Sequence, residues 1–431
     1  MKRTLGPWRC WALVVGGTIG SAIYMMPAVM VPYGGLGLLS LVAATIGAMA
    51  VGLVFANLSR RVTTTGGPYA YARAGFGDFG GFLVAWCYWI SQWTAAAALV
   101  IGFTSYAGAL FPVVGASPSL SLLTSLALTW CFVAVNIAGV RESGIVGLAT
   151  TVMKLVPLLL IGTVGLWFVD FGHMPPARTA PGSSLYVFAT VFALTFWNFV
   201  GIETATVPAE DVVDPERTIS RAVITGTLTV ALVNIMVAIA VMGMIPPAQL
   251  AASASPLADA GRQVAGNWAG LVVSLSALVS AAGTLNVSIL CAGQTAMAAA
   301  RDGIFPSIFE RLGARQTPMA SYLIVGVLTS ALVIMGQTRG LAAGYKFVIL
   351  IATLTAVIPY AFSALAALVL DGRGAPLASG KRFREALTAG IAFIACLWVI
   401  AAGGEESVYW VFILLMVGMP MYVAMRRTRP G

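Results

Sequence analysis

The feature that most constrains this chain is a series of apolar runs that recurs from one end to the other. Each run is about twenty residues long, which as an α-helix is enough to cross a hydrocarbon core of roughly 30 Å. Fifty-nine per cent of the 431 residues are apolar or aromatic and only 9% are charged, whereas soluble domains carry about 25% charged residues. The sequence therefore predicts an all-α, polytopic membrane protein.

Twelve spans are predicted, at 11–33, 37–59, 80–110, 119–139, 144–169, 184–209, 219–245, 266–298, 319–336, 345–370, 387–402 and 407–425. If both termini are cytoplasmic, 19 of the 24 Lys and Arg residues lie on the inner side, as the positive-inside bias requires. Only Arg178, Arg262, Arg339 and Lys346 lie outside. The net charge of +9 then reflects topology, and we expect contact with anionic lipid rather than nucleic acid.

Lys2 and Arg3 precede an apolar stretch, as in a signal peptide, but that stretch continues to Tyr33 and more spans follow, so a membrane span is predicted instead. Side chains that enzymes use are scarce. The only histidine is His173, in a predicted external loop, and the sequence contains no HExxH, GxSxG or CxxC motif. The chain is therefore predicted not to be an enzyme, and no cofactor or metal is expected.

Ionisable side chains are costly inside a bilayer, which makes them candidates for function. Away from the predicted span ends only two occur, Lys154 in the fifth span and Glu203 in the sixth. Each has a structural alternative, since Glu203 would cap broken backbone and Lys154 would brace facing helix ends. Both interpretations require a polar interior, which favours a transport path over a simple membrane anchor.

Two spans carry glycine at mid-membrane depth. The first reads VGGTIGSAIYMMP over residues 15–27, and the sixth reads WNFVGIETA over 197–205. Glycine-interrupted spans five apart indicate an inverted repeat of two five-helix units with discontinuous helices 1 and 6. Broken helices free N–H groups for a carboxylate and carbonyls for an ammonium group, as an amino acid zwitterion needs. For the first-span glycines, close helix packing is the alternative.

Four stretches together carry a resemblance to a known family: Gly20–Ala22, Gly66–Arg73, Trp197–Glu203 and Ala292–Ala296. They resemble the amino acid/polyamine/organocation superfamily, and within it the basic amino acid/polyamine antiporters, particularly the bacterial arginine/agmatine exchangers. The resemblance implies one transporter domain over 1–431 that works by alternating access. It places a first inverted repeat at 9–170 (helices 1–5), a second at 184–370 (helices 6–10) and helices 11–12 at 385–426. The implied location is the inner membrane.

By position, the resemblance assigns the carboxylate site to the backbone of Ser21 and Ala22, where Ala22 replaces the family's usual glycine. The carbonyls of Thr18, Trp197 and Val200 would hold the α-amine, and Trp197 would also be an aromatic lid over the substrate.

The resemblance also implies gating residues. Tyr88 would belong to an outer gate, Tyr69 to the cytoplasmic side and Glu203 to an inner gate or a proton-responsive site. Lys154 resembles the fifth-span lysine whose ammonium replaces the second sodium ion of sodium-coupled relatives. This argues against sodium coupling and leaves proton coupling or plain exchange open.

The sequence departs from the family where the exchanger holds a guanidinium group. Its asparagine, aromatic and serine positions are Ala96, Ser288 and Ala352 here, and Ser91 and Gln92 are the polar side chains nearby. Losing the aromatic face removes a cation–π contact worth about 0.5 to 2 kcal/mol. Arginine specificity is therefore not expected from these positions, although arginine/agmatine-type exchange stays open.

Other functions also remain open. One is a proton-coupled neutral amino acid symporter. From other classes come an ion channel and a ligand-binding nutrient sensor of the same fold, although the short cytoplasmic segments offer a sensor no output domain. The expected partners are an amino acid or amine and the lipid bilayer, while protons and a second copy of the chain are left open.

Overall fold

The computed structural model describes residues 3–174, 184–253, 255–313, 315–338, 341–373 and 379–427. Lys2, Arg178, Arg339 and Arg429, which entered the charge count above, lie outside these ranges. Within them the chain is almost wholly helical, and its one β-type pairing is an isolated bridge between Leu5 and Val212. The all-α prediction is confirmed.

The α-helices of the described ranges are α1 (Pro7–Thr18), α2 (Ala22–Met30), α3 (Gly35–Leu58), α4 (Pro68–Leu110), α5 (Pro112–Ala116), α6 (Pro118–Ala138), α7 (Val140–Val164), α8 (Ser184–Phe196), α9 (Pro215–Met244), α10 (Pro247–Ala252), α11 (Pro256–Ala265), α12 (Asn267–Arg301), α13 (Met319–Thr338), α14 (Leu341–Arg373), α15 (Ser379–Ala402) and α16 (Glu405–Arg427).

In the described part of the chain, ten helices are long and apolar enough to cross a membrane, and the bent pair α1 and α2 makes eleven. The remaining predicted span is the sixth, whose apolar helix covers only Ser184–Phe199 when its 3-10 turn is included. At 1.5 Å per residue that segment is about 24 Å long, shorter than a hydrocarbon core. The count of twelve spans, like the division into inverted repeats at 9–170 and 184–370, stays a prediction.

The centre of the bundle is the long helix α4, which packs against α12 and α14. Large side chains such as Tyr88, Phe196 and Tyr360 are fully buried there. The outer surface is apolar instead of charged, and Ile46, Leu123 and the α16 side chains keep much of their area uncovered. Such a surface suits hydrocarbon rather than water.

Helix α4 begins twelve residues before the predicted third span, because the segment after Gly66 and Gly67 is helical. Both glycines have positive φ, at 126° and 55°, a conformation that side chains disfavour. Pro68 then starts the helix at a position where its missing N–H costs nothing. A kink at Gly77, with φ 76°, separates this short foot from the membrane-length part of α4.

One end of the bundle carries many cations and the N-terminal residues, where Thr4 and Leu5 meet Asp211. We call this end the N-terminal face. The backbone N–H groups of Thr4 and Leu5 donate to the Asp211 carbonyl at 2.8 and 3.0 Å, just before α9. Burial, reinforced by the neighbouring Glu210 carboxylate, raises the pKa of the Asp211 carboxyl, while Arg301 opposes this shift. The N-terminal segment is therefore fastened to the end of the sixth span.

Candidate functional site

The first span is broken in the middle. Helix α1 ends at Thr18, α2 begins at Ala22, and the two axes are bent by 42°. Between them Ile19 has extended backbone, with φ −77° and ψ 92°. The α1 carbonyls and the α2 N–H groups that face the break have no partners within their own helices.

The predicted sixth span is also broken. Helix α8 gives way to a 3-10 turn over Trp197–Phe199, Val200 is extended, and Gly201 has a positive φ of 114°. Residues 200–214 form turns and short 3-10 segments, so the predicted span at 184–209 is α-helical only to Phe196. The break agrees with the predicted discontinuity, but no second α-helix follows it before α9.

The two breaks touch each other. A Cβ atom on Gly201 would lie 2.6 Å from the carbonyl oxygen of Gly17, and a Cβ on Gly17 would lie 2.9 Å from the Thr204 side chain. The Thr204 hydroxyl donates to the Leu13 carbonyl at 2.7 Å. Glycine is therefore required at both positions for the two irregular backbones to meet.

Lys154 braces the first break from α7. Its fully buried ammonium group donates to the Gly16 carbonyl at 2.8 Å and, at short range, to the Ile19 carbonyl. The Thr284 hydroxyl of α12 lies 2.8 and 3.0 Å from the same two carbonyl oxygens, and its single proton is shared between them. One cation and one hydroxyl thus satisfy the carbonyls on the side of the break that faces α7 and α12.

The sequence did not single out the α12 partners of this break. Besides Thr284, Ser280 donates to the carbonyls of Ile19 and Gly20 at 3.0 and 2.9 Å, and Ser276 bonds with the Tyr24 hydroxyl at 2.6 Å. With Ser288 these residues recur every fourth position, which places them on one face of a helix. This row of hydroxyl side chains along an otherwise apolar helix is the sequence pattern that could have predicted these contacts.

A narrow pocket opens beside the two breaks, and Thr284 of α12 lies in its wall. It holds about 620 Å³ of atom-free space, including the part open to solvent, and is bounded by both breaks and by α4, α12 and α14. Nine of the ten predicted substrate residues line it: Thr18, Ser21, Ala22, Ser91, Gln92, Trp197, Val200, Ser288 and Ala352. The structure therefore brings together residues that are far apart in the chain.

Ala96 is the exception. It is buried but does not line the pocket, whose α4 wall is formed by Ser91, Gln92, Ala95, Ala98 and Leu99. At 100° per residue the lining positions of α4 are centred on Ala95, and Ala96 is turned about 100° from that centre. Ala95, and not Ala96, faces the pocket from α4.

Glu203 lies fully buried beside the pocket with two tyrosines. Tyr88 of α4 donates to its Oε1 at 2.7 Å, and Tyr360 of α14 donates to its Oε2 at short range. The Gly201 N–H donates in turn to the Tyr360 hydroxyl at 2.9 Å. Tyr88, expected at an outer gate, lies one helical turn from Gln92 towards the N-terminal face, in the same cluster as Glu203. Nothing in the sequence distinguished Tyr360.

Tyr69 lies at the N-terminal face, at the start of α4. Its hydroxyl donates to the Asp302 carboxylate at 2.5 Å, and Arg73 of the same helix contacts that carboxylate at 2.7 Å. This ion pair joins the foot of α4 to the end of α12. The sequence did not predict this role for Asp302, or for Arg73 at the end of the Gly66–Arg73 stretch.

Trp197 separates the pocket from a larger cavity towards the opposite face. That cavity is lined by α2, α8 and the turn between α15 and α16, and it shares Ala22, Trp197 and Ile349 with the central pocket. The indole is half-buried between the two spaces. Among the described residues no cluster of three or more His, Cys, Asp or Glu side chains has the arrangement of a metal site.

Comparison with known proteins decides the family. The model of the amino acid permease family matches residues 5–425, nearly the whole chain. This chain belongs to the amino acid permease family. It is therefore a secondary transporter embedded in a membrane, and not an enzyme.

Three relatives show the range of this permease's similarity. It is 30% identical over 409 residues to an arginine/ornithine antiporter of Pseudomonas aeruginosa, covering 91% of this chain and 85% of that protein. It is 29% identical over 379 residues to a cadaverine/lysine antiporter of Escherichia coli, covering 86% and 84%. With the Escherichia coli putrescine transporter PotE it shares 27% over 412 residues, covering 94% and 92%.

Proposed function

We propose that this permease exchanges amino acids or their decarboxylated amines across the inner membrane by alternating access from one central site. The observation that carries the proposal is the meeting of two broken spans, at Gly17 and Gly201, beside one pocket. Peptide groups freed from helical bonding in a low-dielectric interior need polar partners. A zwitterion or an amine supplies them.

The substrate's backbone groups would bind to the breaks. The N-terminus of α2, at Ser21 and Ala22, presents N–H groups and the positive end of a helix dipole to a carboxylate. The carbonyls of Thr18, Trp197 and Val200, all pocket-lining residues, would accept from the ammonium group. The Gly16 and Ile19 carbonyls already accept from Lys154 and Thr284, so we do not count them among the acceptors of the ammonium group.

The gates follow from the cavities. Trp197 would be the lid between the central pocket and the cavity of the opposite face, which we place outside the cell. The Tyr69, Arg73 and Asp302 contacts would close the N-terminal face, which we place in the cytoplasm with both termini. Glu203, bound by two tyrosine hydroxyls beside the pocket, is the proposed proton-responsive group.

The choice of substrate rests on the relatives and on the pocket wall. The relatives' names include arginine, ornithine, lysine, cadaverine and putrescine, all of which are cationic. The described pocket lining of this permease contains no Asp or Glu, and small residues such as Ala95 and Ala352 bound it. We therefore propose that carbonyl oxygens and the nearby Gln92 amide, not a carboxylate, would hold the cationic end of such a substrate.

The test is counterflow in proteoliposomes. Vesicles are loaded with each of the twenty amino acids or with agmatine, ornithine, putrescine or cadaverine, and uptake of the same labelled compound is measured. Exchange of at least one compound, absent from protein-free vesicles, supports the proposal. Ligand binding without flux would indicate a sensor, single-channel currents without counterflow would indicate a channel, and silence across the panel would contradict the proposal.

The alanine-rich wall also favours a second candidate, a proton-coupled symporter of neutral amino acids. A small apolar wall suits an aliphatic side chain better than a guanidinium group. The two candidates differ in what drives uptake. Symport requires a pH gradient and proceeds into empty vesicles, whereas exchange requires an internal substrate and continues without a gradient.

A further inference from the structure

A second cavity lies at the N-terminal face, outside the central pocket and its gates. It is formed where the end of α3 meets the start of α9, the end of α14 and the start of α15, and it holds about 890 Å³ of atom-free space including the part open to solvent. Its wall combines cationic and apolar side chains, a composition that the transport path does not use. The cavity is therefore not part of the proposed transport path.

Cations dominate its charge. Arg60, Lys381 and Arg384 line the cavity, and Glu385 is the only carboxylate in its described lining. The Glu385 carboxylate is 3.2 Å from Arg61, which also pairs with Asp371 at short range. With these neighbours included, four cations (Arg60, Arg61, Lys381, Arg384) stand against two carboxylates (Asp371, Glu385), an excess of two positive charges.

The position of these cations on α15 adds to the excess. Lys381 and Arg384 lie in the first two turns of that helix. The helix dipole is positive at this end, so it favours anions and disfavours Lys and Arg. A positive-inside bias explains why the cations are on this face. It does not explain why they converge on a cavity at a helix N-terminus, which is where an anion would be most stabilised.

Apolar stripes run from these cations towards the membrane interior. Leu53 of α3 is 42% exposed and lies seven residues before Arg60, which stands in the turn after that helix; Leu387 and Ile391, three and seven residues after Arg384 on α15, are 53% and 38% exposed. Spacings of three and seven keep residues on one helix face. The α15 stripe thus extends about 10 Å from Arg384 along the helix axis, and the α3 stripe continues from Leu53 to Ile46 and Leu39 at the same spacing of seven.

We propose that this cavity binds an anionic phospholipid, whose headgroup phosphate lies among Arg60, Lys381 and Arg384 while its acyl chains follow the two apolar stripes. Arg60 is directed by a bond from its Nε to the Ser220 hydroxyl at 3.0 Å, and a guanidinium group has further N–H donors for phosphate oxygens. A free phosphate ion would use the cations but not the stripes, so the structure favours the lipid as the source of the phosphate.

Binding at this place would brace the transporter. Arg61, Asp371 and Glu385 join α3, α14 and α15 just beside the cavity. Helix α14 also supplies Ala352 to the central pocket and Tyr360 to Glu203. An anionic lipid is therefore expected to stabilise the folded permease, whatever substrate it carries.

The test uses the full-length protein purified in detergent. It is titrated with phosphatidylglycerol, with phosphatidylcholine of the same chain length, or with inorganic phosphate, and bound lipid is counted by native mass spectrometry alongside the melting temperature. We expect phosphatidylglycerol alone to bind and to raise the melting temperature. The Lys381→Gln/Arg384→Gln variant should bind it about 25-fold more weakly, since each juxtamembrane cation contributes on the order of a fivefold change.

Arg382→Gln is the matched control. Arg382 carries the same charge on the same helix, but it is turned about 200° from Arg384 and does not line the cavity. Arg382→Gln should weaken binding by less than the roughly fivefold change expected for a cation that lines the cavity. Equal binding of phosphatidylcholine, an equal loss in Arg382→Gln, or equal stabilisation by inorganic phosphate would each overturn the proposal. If the double variant does not fold, binding of phosphatidylglycerol to Lys381→Gln alone tests the proposal, because that side chain is 63% exposed and its loss should not disturb the fold.

Discussion

The backbone of Gly201 lies against the carbonyl group of Gly17, and a Cβ atom added to Gly201 would stand 2.6 Å from the Gly17 oxygen. This contact joins the sixth span to the first at the point where each has lost its helical hydrogen bonds. The positive φ of Gly201, 114°, turns the chain there. The pocket owes its shape to this contact, since both of its irregular walls meet at it.

Gly201→Ala is expected to abolish exchange. An alanine at positive φ carries about 1–3 kcal/mol of backbone strain, and its methyl group also overlaps the Gly17 backbone. The two breaks must move apart, so the free energy of unfolding should fall and counterflow should be lost. Thermal stability and counterflow of the purified variant measure both effects.

Gly390→Ala provides the control for that substitution. Gly390 lies inside α15 with nothing within 4 Å of an added Cβ. Alanine there should be neutral or stabilising by about 0.5–1 kcal/mol. A Gly201→Ala variant as active and as stable as Gly390→Ala would refute the close contact of the two breaks.

Lys154→Met is expected to impair exchange and to lower the free energy of unfolding by about 1–3 kcal/mol, because it removes a donor from the carbonyls of Gly16 and Ile19. The ammonium group occupies the place where a bound cation would bridge these carbonyls. Exchange by the unaltered protein should therefore keep its rate when sodium is replaced by potassium. If the exchange rate requires sodium, the Lys154 ammonium group does not substitute for a bound sodium ion.

Local signals in the sequence located the two breaks, whereas the pocket residues themselves followed from the family resemblance. Glycines at mid-membrane depth and two ionisable residues in apolar spans marked positions where the backbone breaks or needs a partner, at Gly17, Lys154, Gly201 and Glu203. What sequence reasoning missed depends on helix rotation and on distant contacts. Whether Ala95 or Ala96 faces the pocket is a difference of 100° that a span boundary uncertain by two residues does not settle.

Tyr360 shows the second kind of gap. It meets Gly201 and Glu203 across 157 or more residues of chain, and a tyrosine in an apolar helix has no pattern of its own that predicts such a bond. The predicted third span begins at residue 80, twelve residues after the observed start of α4 at Pro68. The Gly66–Gly67 turn ends a loop and begins a helix within three residues, and composition alone reads that stretch as loop.

Tyr360→Phe should be more damaging than Tyr88→Phe. Both lose a bond to Glu203, but the Tyr360 hydroxyl also accepts from the Gly201 N–H, which is left unsatisfied in the variant. An orphaned buried donor costs about 1–3 kcal/mol, against about 1 kcal/mol for an ordinary lost bond. Denaturation and counterflow of the two variants test this order. Equal effects would mean that the Gly201 bond contributes nothing.

Asp211→Asn is expected to stabilise the protein at neutral pH. Burial raises the pKa of this carboxyl, so the folded state holds the proton more tightly than the unfolded chain does. Its contribution to stability is present below the unfolded pKa of about 3.9 and is lost as pH rises through the folded pKa. The variant should melt higher than the unaltered protein at pH 7, and this advantage should vanish near pH 4. Exposed Glu310→Gln should show no comparable change.

Trp197→Leu tests the lid. The indole lies between the central pocket and the cavity of the opposite face, and both cavities include it in their walls. Leucine is smaller and cannot cover a substrate with an aromatic face, so counterflow should fall about tenfold or more, as expected for the loss of about 1.4 kcal/mol of substrate contact. The fold should survive, because the side chain is only half-buried and its neighbours keep their backbone bonds. Trp167→Leu is the matched control, since that indole is 85% exposed in the 3-10 turn after α7 and touches neither cavity. If Trp197→Leu exchanges substrate as fast as Trp167→Leu, the Trp197 indole has no role in transport. The two cavities would then be separated only by Ala22 and Ile349, the other residues that line both.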